Sequence, residues 1–279
     1  MADLIFNTIK RYHYETLRRI DTDYGRRYIN RFDEALPSVT TILDFTKDKT
    51  KLEEWKQRVG DEEAERIRVA AAAVGTAMHS FIESHIKYRP MRPAKNWNQL
   101  KGFRMGATLM EQYFENLEEV WGNEVMVFKR GKYAGTTDLA GVYKGKPSII
   151  DFKQTNKMKK REWIDDYFIQ LAAYADAHND QHNTRIQDGV VLMVAQSGEC
   201  QEFIITGREF DHYLDLWRAK VDDFLSHSKQ SPEEIALQIA SMSPHPEEQA
   251  SLELSQPAEL VEDGVAEQGH QDLEARKDC

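Results

Sequence analysis

The spacing of apolar residues changes along the chain from a helical period to a strand period and back. Apolar residues recur every three or four positions over 98–121, which predicts an amphipathic helix. Good helix formers predict two earlier helices, at 51–59 and 62–88. The later predicted elements are strands at 124–130, 134–143 and 147–153, a helix at about 161–179, strands at 189–196 and 200–206, and a helix at 207–227. This order predicts an α/β fold with a central mixed β-sheet flanked by helices.

Composition and turn signals suggest three segments. Residues 14–33 predict a β-hairpin that turns at Asp23-Tyr24-Gly25, so residues 1–35 are expected to form an N-terminal extension. Residues 36–230 are expected to form the main domain. Residues 231–279 contain no aromatic residue and are rich in Glu, Gln, Ser and Pro, which predicts a mostly disordered tail.

The negative charge of the chain is concentrated in this tail. The formal net charge is -10, and residues 231–279 hold 12 acidic and only 2 basic residues. Residues 1–230 therefore hold 35 of each sign and are neutral. A neutral body can still bind an acidic polymer through a local basic surface, and the acidic tail is a candidate contact for a replication or recombination protein.

Cysteine content and hydropathy exclude several classes of protein. The chain has two cysteines, Cys200 and Cys279, which is too few for an iron–sulfur cluster or a zinc site with four cysteine ligands. No run of eighteen apolar residues and no secretory signal is present, so we expect no membrane span and a cytoplasmic location, which is the host cytoplasm if a phage encodes the protein.

Two acidic residues and a lysine lie in sequence that otherwise predicts buried strands. A two-residue turn at Lys144-Gly145 would pair the flanking strands so that Asp138 faces Asp151. Lys153 follows Asp151 by two positions and points to the same face. Opposed carboxylates destabilise a sheet unless a cation compensates them. The hairpin alone leaves two readings equally open: a divalent cation such as Mg²⁺ or Mn²⁺, or a simple ion pair with Lys153.

Two helices carry further candidate residues. His79 and Glu83 are four residues apart and so share a helix face, although a single histidine on an apolar helix is more often structural. Gln170 and Tyr174 have the same spacing in a later helix. Trp163 and Tyr167 continue that stripe toward the N-terminus of the helix, and they fit an ordinary core face.

Together these motifs resemble the PD-(D/E)XK nuclease superfamily. The resemblance is to the branch of RecB-type nuclease domains that includes the mitochondrial genome maintenance exonuclease and tailed-phage exonucleases, and it spans about residues 36–225. It implies a restriction-endonuclease-like core with an N-terminal helical insertion. The segments that carry it are Gly75…His79…Glu83, Gly135-Thr136-Thr137-Asp138, Ile150-Asp151-Phe152-Lys153, Gln170-Leu171-Ala172-Ala173-Tyr174 and Pro37-Ser38-Val39-Thr40-Thr41-Ile42-Leu43.

The resemblance implies a role for each matching residue. Asp138, Asp151 and Lys153 would be catalytic, and Lys153 would orient the attacking water. His79, Asp138, Asp151 and the carbonyl of Phe152 would bind one or two Mg²⁺ or Mn²⁺ ions, without an iron–sulfur cluster. The remaining matches, which would support the site or position the substrate, are Glu83, Gln170 and Tyr174.

Basic and hydroxyl residues near these motifs are candidates for DNA contact. Lys157, Lys159, Lys160 and Arg161 directly follow the catalytic strand, and Ser38 and Thr40 lie in the matching N-terminal segment. The leading hypothesis is a divalent-metal-dependent DNA exonuclease that prefers single-stranded ends. A structure-specific or flap endonuclease with the same core, and a catalytically inactive nucleic-acid-binding relative, are the alternatives.

Overall fold

A five-stranded mixed sheet forms the centre of the protein. The computed structural model describes residues 7–228 and residue 237. The strands are β4 Leu117–Lys129, β5 Tyr133–Tyr143, β6 Lys146–Thr155, β7 Asp188–Ala195 and β8 Cys200–Thr206. The strand order is β4-β5-β6-β7-β8; β6 and β7 are parallel, and the other neighbouring pairs are antiparallel.

Helices cover both faces of this sheet and bury its apolar residues in two clusters. The helices are α1 Val39–Phe45, α2 Thr50–Val59, α3 Asp61–Ile86, α4 Trp97–Tyr113, α5 Asp165–His182 and α6 Gly207–His227. One cluster joins α1, α5 and α6 to the sheet around the fully buried Trp217. The other joins α3 and α4 to the opposite face around Leu109 and Phe152. The predicted fold class is confirmed.

A small antiparallel sheet packs near the start of β5. Its strands are β1 Arg18–Thr22, β2 Gly25–Ile29 and β3 Ala35–Pro37, so the hairpin predicted within 14–33 is confirmed. Tyr28 contributes to a third apolar cluster with Phe128 and Ala134, and its hydroxyl lies 3.2 Å from the Thr136 Oγ1 atom. The small sheet thereby reaches the strand that carries Asp138.

The largest difference from the predicted elements lies after α4. The pattern predicted helix as far as residue 121, but α4 ends at Tyr113 and a short 3-10 turn, Phe114–Asn116, leads into β4. The Asn116 carbonyl accepts a hydrogen bond from the Lys144 amide at 2.9 Å, next to the β5–β6 turn. Pairing with β5 along its whole length outweighs the local helical spacing in this segment.

Residues 7–228 fall within one compact unit. The proposed limits of the extension, main domain and tail stay predictions, and the tail, 231–279, lies outside the described residues apart from residue 237. In the part of the chain that the structure describes, no helix combines the length and apolarity needed to cross a bilayer.

Candidate active site

The β5–β6 turn has the geometry that the sequence predicted. Lys144 and Gly145 both have positive φ, 48° and 75°, as a tight hairpin turn of the favoured hand requires. Tyr143 pairs with Lys146, and the same register continues along the hairpin. The predicted pairing is therefore confirmed, and it brings β5 and β6 together up to the position just before the two aspartates.

The two strands part at Asp138. The last pair of the β5–β6 ladder is Leu139 with Ile150. Beyond it, the Asp138 side chain replaces the ladder, because its Oδ2 atom accepts a hydrogen bond from the Phe152 amide at 2.7 Å. On the other side, the Asn123 side-chain amide donates to the Asp138 carbonyl at 2.8 Å. Asp138 is thus fixed from both neighbouring strands, and its second carboxylate oxygen, Oδ1, faces the site.

A second carboxylate reaches this point from β4. Glu124 has a φ of 52°, which is uncommon for a residue other than glycine and is costly outside turns. His79, on α3, lies with its Nδ1 atom 3.5 Å from both the Glu124 Oε1 and the Asp138 Oδ1 atoms. One ligand atom from each of these three residues lies within 4.8 Å of the other two.

Glu124 is not among the residues that the sequence predicts for the site. Its neighbours Asn123 and Val125 pair with Leu139 and Thr137, which places Glu124 opposite Asp138. The available signal was a glutamate at the end of a predicted strand next to the strand of Asp138. Using it required the β4–β5 register, which runs without a shift from Lys129 and Tyr133 at the turn to Asn123 and Leu139. The two irregularities in β4, between Leu117 and Glu119 and between Val120 and Gly122, lie farther from the turn and do not change this register.

Asp151 and Lys153 form the buried part of the site. The Lys153 Nζ atom is 2.8 Å from Asp151 Oδ1 and 2.7 Å from Oδ2, and it donates a hydrogen bond to Oδ1. Lys153 also lies 3.4 Å from the Gln170 Oε1 atom and 5.0 Å from the centre of the Tyr167 ring. The Gln170 side-chain amide donates to the Tyr174 hydroxyl at 3.0 Å. The structure therefore brings together four predicted residues: Asp151, Lys153, Gln170 and Tyr174.

Burial and mutual charge shift the proton affinities of these groups. Burial raises the pKa of Asp138 and raises that of Asp151 to about 6, while Lys153 opposes both shifts. For His79, burial lowers the pKa, but Asp138 and Glu124 outweigh it and raise the pKa to about 9. Burial likewise disfavours the Lys153 ammonium, yet Asp151 and Asp138 hold its pKa above the usual value.

The charge balance and donor set of this cluster fit a divalent cation. Glu124, Asp138 and Asp151 carry three negative charges and Lys153 one positive charge, which leaves two negative charges when His79 is neutral. The Asp151 Oδ2 atom is buried and accepts no hydrogen bond, although Lys153 lies beside it. Carboxylate oxygens with one imidazole nitrogen suit Mn²⁺ well, and the carboxylates suit Mg²⁺.

Two of the predicted site residues also have structural contacts. Glu83 lies one helical turn beyond His79, and its Oε1 atom is 2.7 Å from Lys87 Nζ and 3.8 Å from Arg89 Nη1. The Phe152 side chain is buried, with its ring centre 6.3 Å from that of His79. The predicted roles of Glu83 and of the Phe152 carbonyl stay predictions.

The predicted DNA-contacting residues differ in accessibility. Lys157 and Lys160 are exposed, and Lys159 is half-buried. Arg161 bonds to Glu209 at 2.7 Å and to the Ile204 carbonyl at 2.8 Å. Ser38 is buried and caps α1 by accepting a hydrogen bond from the Thr41 amide at 2.9 Å, whereas Thr40 is exposed; DNA contact by either stays a prediction.

The core assignment of Trp163 is wrong. The side chain was expected on a core face, but the residue is 61% exposed, because Arg161–Trp163 form a 3-10 turn before α5 begins. Tyr167 is half-buried beside Lys153, so the helical stripe is interrupted between these two aromatic residues.

One sequence comparison reaches a protein of known activity. The chain is 24% identical over 220 residues to human mitochondrial genome maintenance exonuclease 1; the alignment covers 71% of this chain and 62% of the human protein. The chain therefore spans less than two thirds of the length of this curated relative. No family model matches the chain.

Comparison with solved structures gives weaker similarity. A candidate exonuclease from Eubacterium rectale matches with a TM-score of 0.42 at 14% identity, over 72% of this chain and 77% of that protein. A second structure, described without an activity, matches with a TM-score of 0.29 at 13% identity, over 57% of this chain and 77% of that one. At these TM-scores, neither match carries an argument about function.

Proposed function

We propose that the protein is a divalent-metal-dependent nuclease that hydrolyses DNA phosphodiester bonds. The observation that carries this proposal is the convergence of His79, Glu124 and Asp138 on one point next to the buried Asp151–Lys153 pair. Three carboxylates against one lysine leave two negative charges once His79 has lost its proton, which a doubly charged ion can neutralise. The sequence similarity to a human exonuclease supports the same reaction class.

Each side chain has a distinct part in this reaction. His79, Glu124 and Asp138 would hold a cation, and Asp151 would add a ligand oxygen on the side of Lys153. A bound divalent cation supplies Lewis-acid polarisation of a phosphate oxygen and activation of a water molecule. Lys153 keeps its proton and therefore acts as a fixed positive charge that can stabilise the negative charge developing on the phosphate.

Gln170 and Tyr174 position Lys153. The Gln170 oxygen faces the Lys153 ammonium at 3.4 Å, and the Gln170 amide is fixed by the Tyr174 hydroxyl at 3.0 Å. Tyr174 itself lies against β5, where a Cβ atom added to Gly135 would come 2.6 Å from the Tyr174 Cε1 atom. This close contact between α5 and β5 restricts the Gln170 side chain, and through it the lysine.

We propose further that the substrate is single-stranded DNA with a free end. The support for a free end is the similarity to a protein named an exonuclease. A flap or structure-specific endonuclease would use the same residues, so only the topology of the substrate separates the two activities.

Digestion of labelled DNA tests both levels of this proposal. The purified protein is incubated with linear and circular single-stranded DNA, and with duplex DNA, in Mg²⁺, Mn²⁺ or EDTA. We expect cleavage of linear single strands with either metal and none in EDTA. Cleavage of circular and linear single strands at equal rates would contradict the requirement for an end and would favour the endonuclease.

Variants at three positions of strand β6 provide the matched comparison. Lys153→Met and Asp151→Asn should each lower the cleavage rate about 100-fold or more, the usual effect of removing one electrostatic group from a catalytic site. Lys146→Met changes an exposed lysine at the other end of β6 and should leave the rate unchanged. A wild-type protein that is inert with every metal and DNA form would overturn the nuclease assignment and favour the inactive binding relative.

A further inference from the structure

We infer that Trp163 and Lys160 form a stacking site for one base of single-stranded nucleic acid beside the candidate active site, an inference that rests on the proposed nuclease function. Trp163 is 61% exposed, and the Lys160 Nζ atom lies 5.3 Å from the centre of its ring. An open indole face can stack a base, and an adjacent ammonium can contact the phosphate of the same nucleotide.

The position of this pair relates it to the catalytic residues. Trp163 and Lys160 lie in the connection between β6, which carries Asp151 and Lys153, and α5, which carries Gln170. Tyr167, in the first turn of α5, contacts Lys153. We place the path of a strand whose phosphate reaches Lys153 along this connection, where Trp163 presents an exposed aromatic side chain.

The connection is held firmly enough to present an ordered ring. The Gln201 side chain bonds to both the amide and the carbonyl of Lys159, at 2.8 and 2.9 Å. Arg161 bonds to Glu209 and to the Ile204 carbonyl and lies 4.7 Å from the centre of the Phe168 ring. These contacts anchor the backbone on either side of Lys160, so little ordering remains to be done when a base binds.

The exposed charge favours an anionic polymer over an apolar partner. Lys157 and Lys160 both face solvent, and among the described residues Lys160 lies within ion-pairing distance of one carboxylate, that of Glu162, at 3.9 Å. With both side chains about 66% exposed, such a pair contributes little and can be replaced by a phosphate. An aromatic ring next to an available ammonium thus matches the two parts of a nucleotide.

Equilibrium binding of a labelled oligonucleotide tests this inference. Fluorescence anisotropy of a labelled single-stranded DNA of about 15 nucleotides is measured over a range of salt concentrations. The buffer contains EDTA, so that no cleavage takes place. Trp163→Ala should weaken binding about tenfold, within the range of one lost base–aromatic stack, while Trp163→Phe retains most of the affinity. The Trp163→Ala effect should be independent of salt and should vanish with an abasic oligonucleotide.

The lysine should give a different signature in the same assay. Lys160→Ala should lower the slope of log K against log salt by about 0.7, the value for one phosphate contact to a single strand. Phe32→Ala is the matched control, because Phe32 is 42% exposed with Arg130 only 3.9 Å from its ring, but lies in the turn between β2 and β3. Its affinity should equal that of the wild type.

The outcomes separate this inference from the proposed reaction. If Trp163→Ala cleaves DNA and binds it as tightly as the wild type does, the stacking site is refuted and the proposed nuclease activity is retained. Trp163-dependent binding without cleavage in any metal would keep the stacking site and overturn the nuclease. The same measurement with an RNA oligonucleotide shows whether the stacked base can come from RNA as well as from DNA. If Trp163→Ala loses as much affinity for abasic DNA as for intact DNA, stacking is refuted.

Discussion

Metal binding should displace a proton from His79. The imidazole Nδ1 atom is 3.5 Å from two carboxylates, which raise its pKa to about 9. At pH 7.5 most of the imidazole is then protonated, so a cation that binds Nδ1 must release about one proton. Displacing it costs about 2 kcal/mol at this pH, from 1.36 kcal/mol for each pH unit below the pKa.

The pH dependence of this competition follows from the same pKa. Below pH 9 a proton occupies the His79 imidazole and competes with the cation. The affinity for Mn²⁺ should therefore rise about tenfold for each pH unit between 7 and 8.5 and level off above 9. Asp151 does not contribute in this window, because its pKa of about 6 leaves it ionised throughout.

Isothermal titration calorimetry measures the proton release directly. Mn²⁺ is titrated at pH 7.5 in two buffers that differ in ionisation enthalpy, and the difference in apparent enthalpy gives the number of protons released. We expect about one for the wild type and about zero, with no pH dependence of affinity in the window, for His79→Gln. His212→Gln, which alters an exposed histidine on α6, should match the wild type. Equal proton release by His79→Gln and wild type would remove His79 from the ligand set.

Two further predictions concern stability, measured by urea unfolding. Gly135→Ala should lower the free energy of unfolding by about 1–3 kcal/mol, because the new Cβ would come 2.6 Å from Tyr174. Gly75→Ala should instead stabilise α3 by about 0.5–1 kcal/mol, because its Cβ would find only one side-chain atom as near as 3.9 Å. Equal effects at the two positions would refute the close contact between Gly135 and Tyr174. Ser38→Ala should lower the free energy of unfolding by about 1 kcal/mol through loss of the α1 cap, and Thr40→Ala should have little effect.

Local sequence was sufficient to find the Asp138–Asp151–Lys153 group. The turn at Lys144-Gly145 sets the register of the β5–β6 hairpin, and strand alternation places Lys153 on the face of Asp151. These relations span fewer than twenty residues and depend on short-range geometry. For the same reason, most helices and strands were predicted close to their observed bounds.

The contacts made by Glu124, His79 and Trp163 were decided by the tertiary structure. Glu124 meets Asp138 through the pairing of β4 with β5 and adopts a positive φ there, and His79 reaches both only because α3 packs across the end of these strands. Trp163 is exposed because a 3-10 turn interrupts the helical stripe before α5. The sequence alone determined which residues could supply the chemistry within one hairpin. Packing between distant segments determined which other side chains join them, since periodicity reports the face of an element and not its neighbour across the fold.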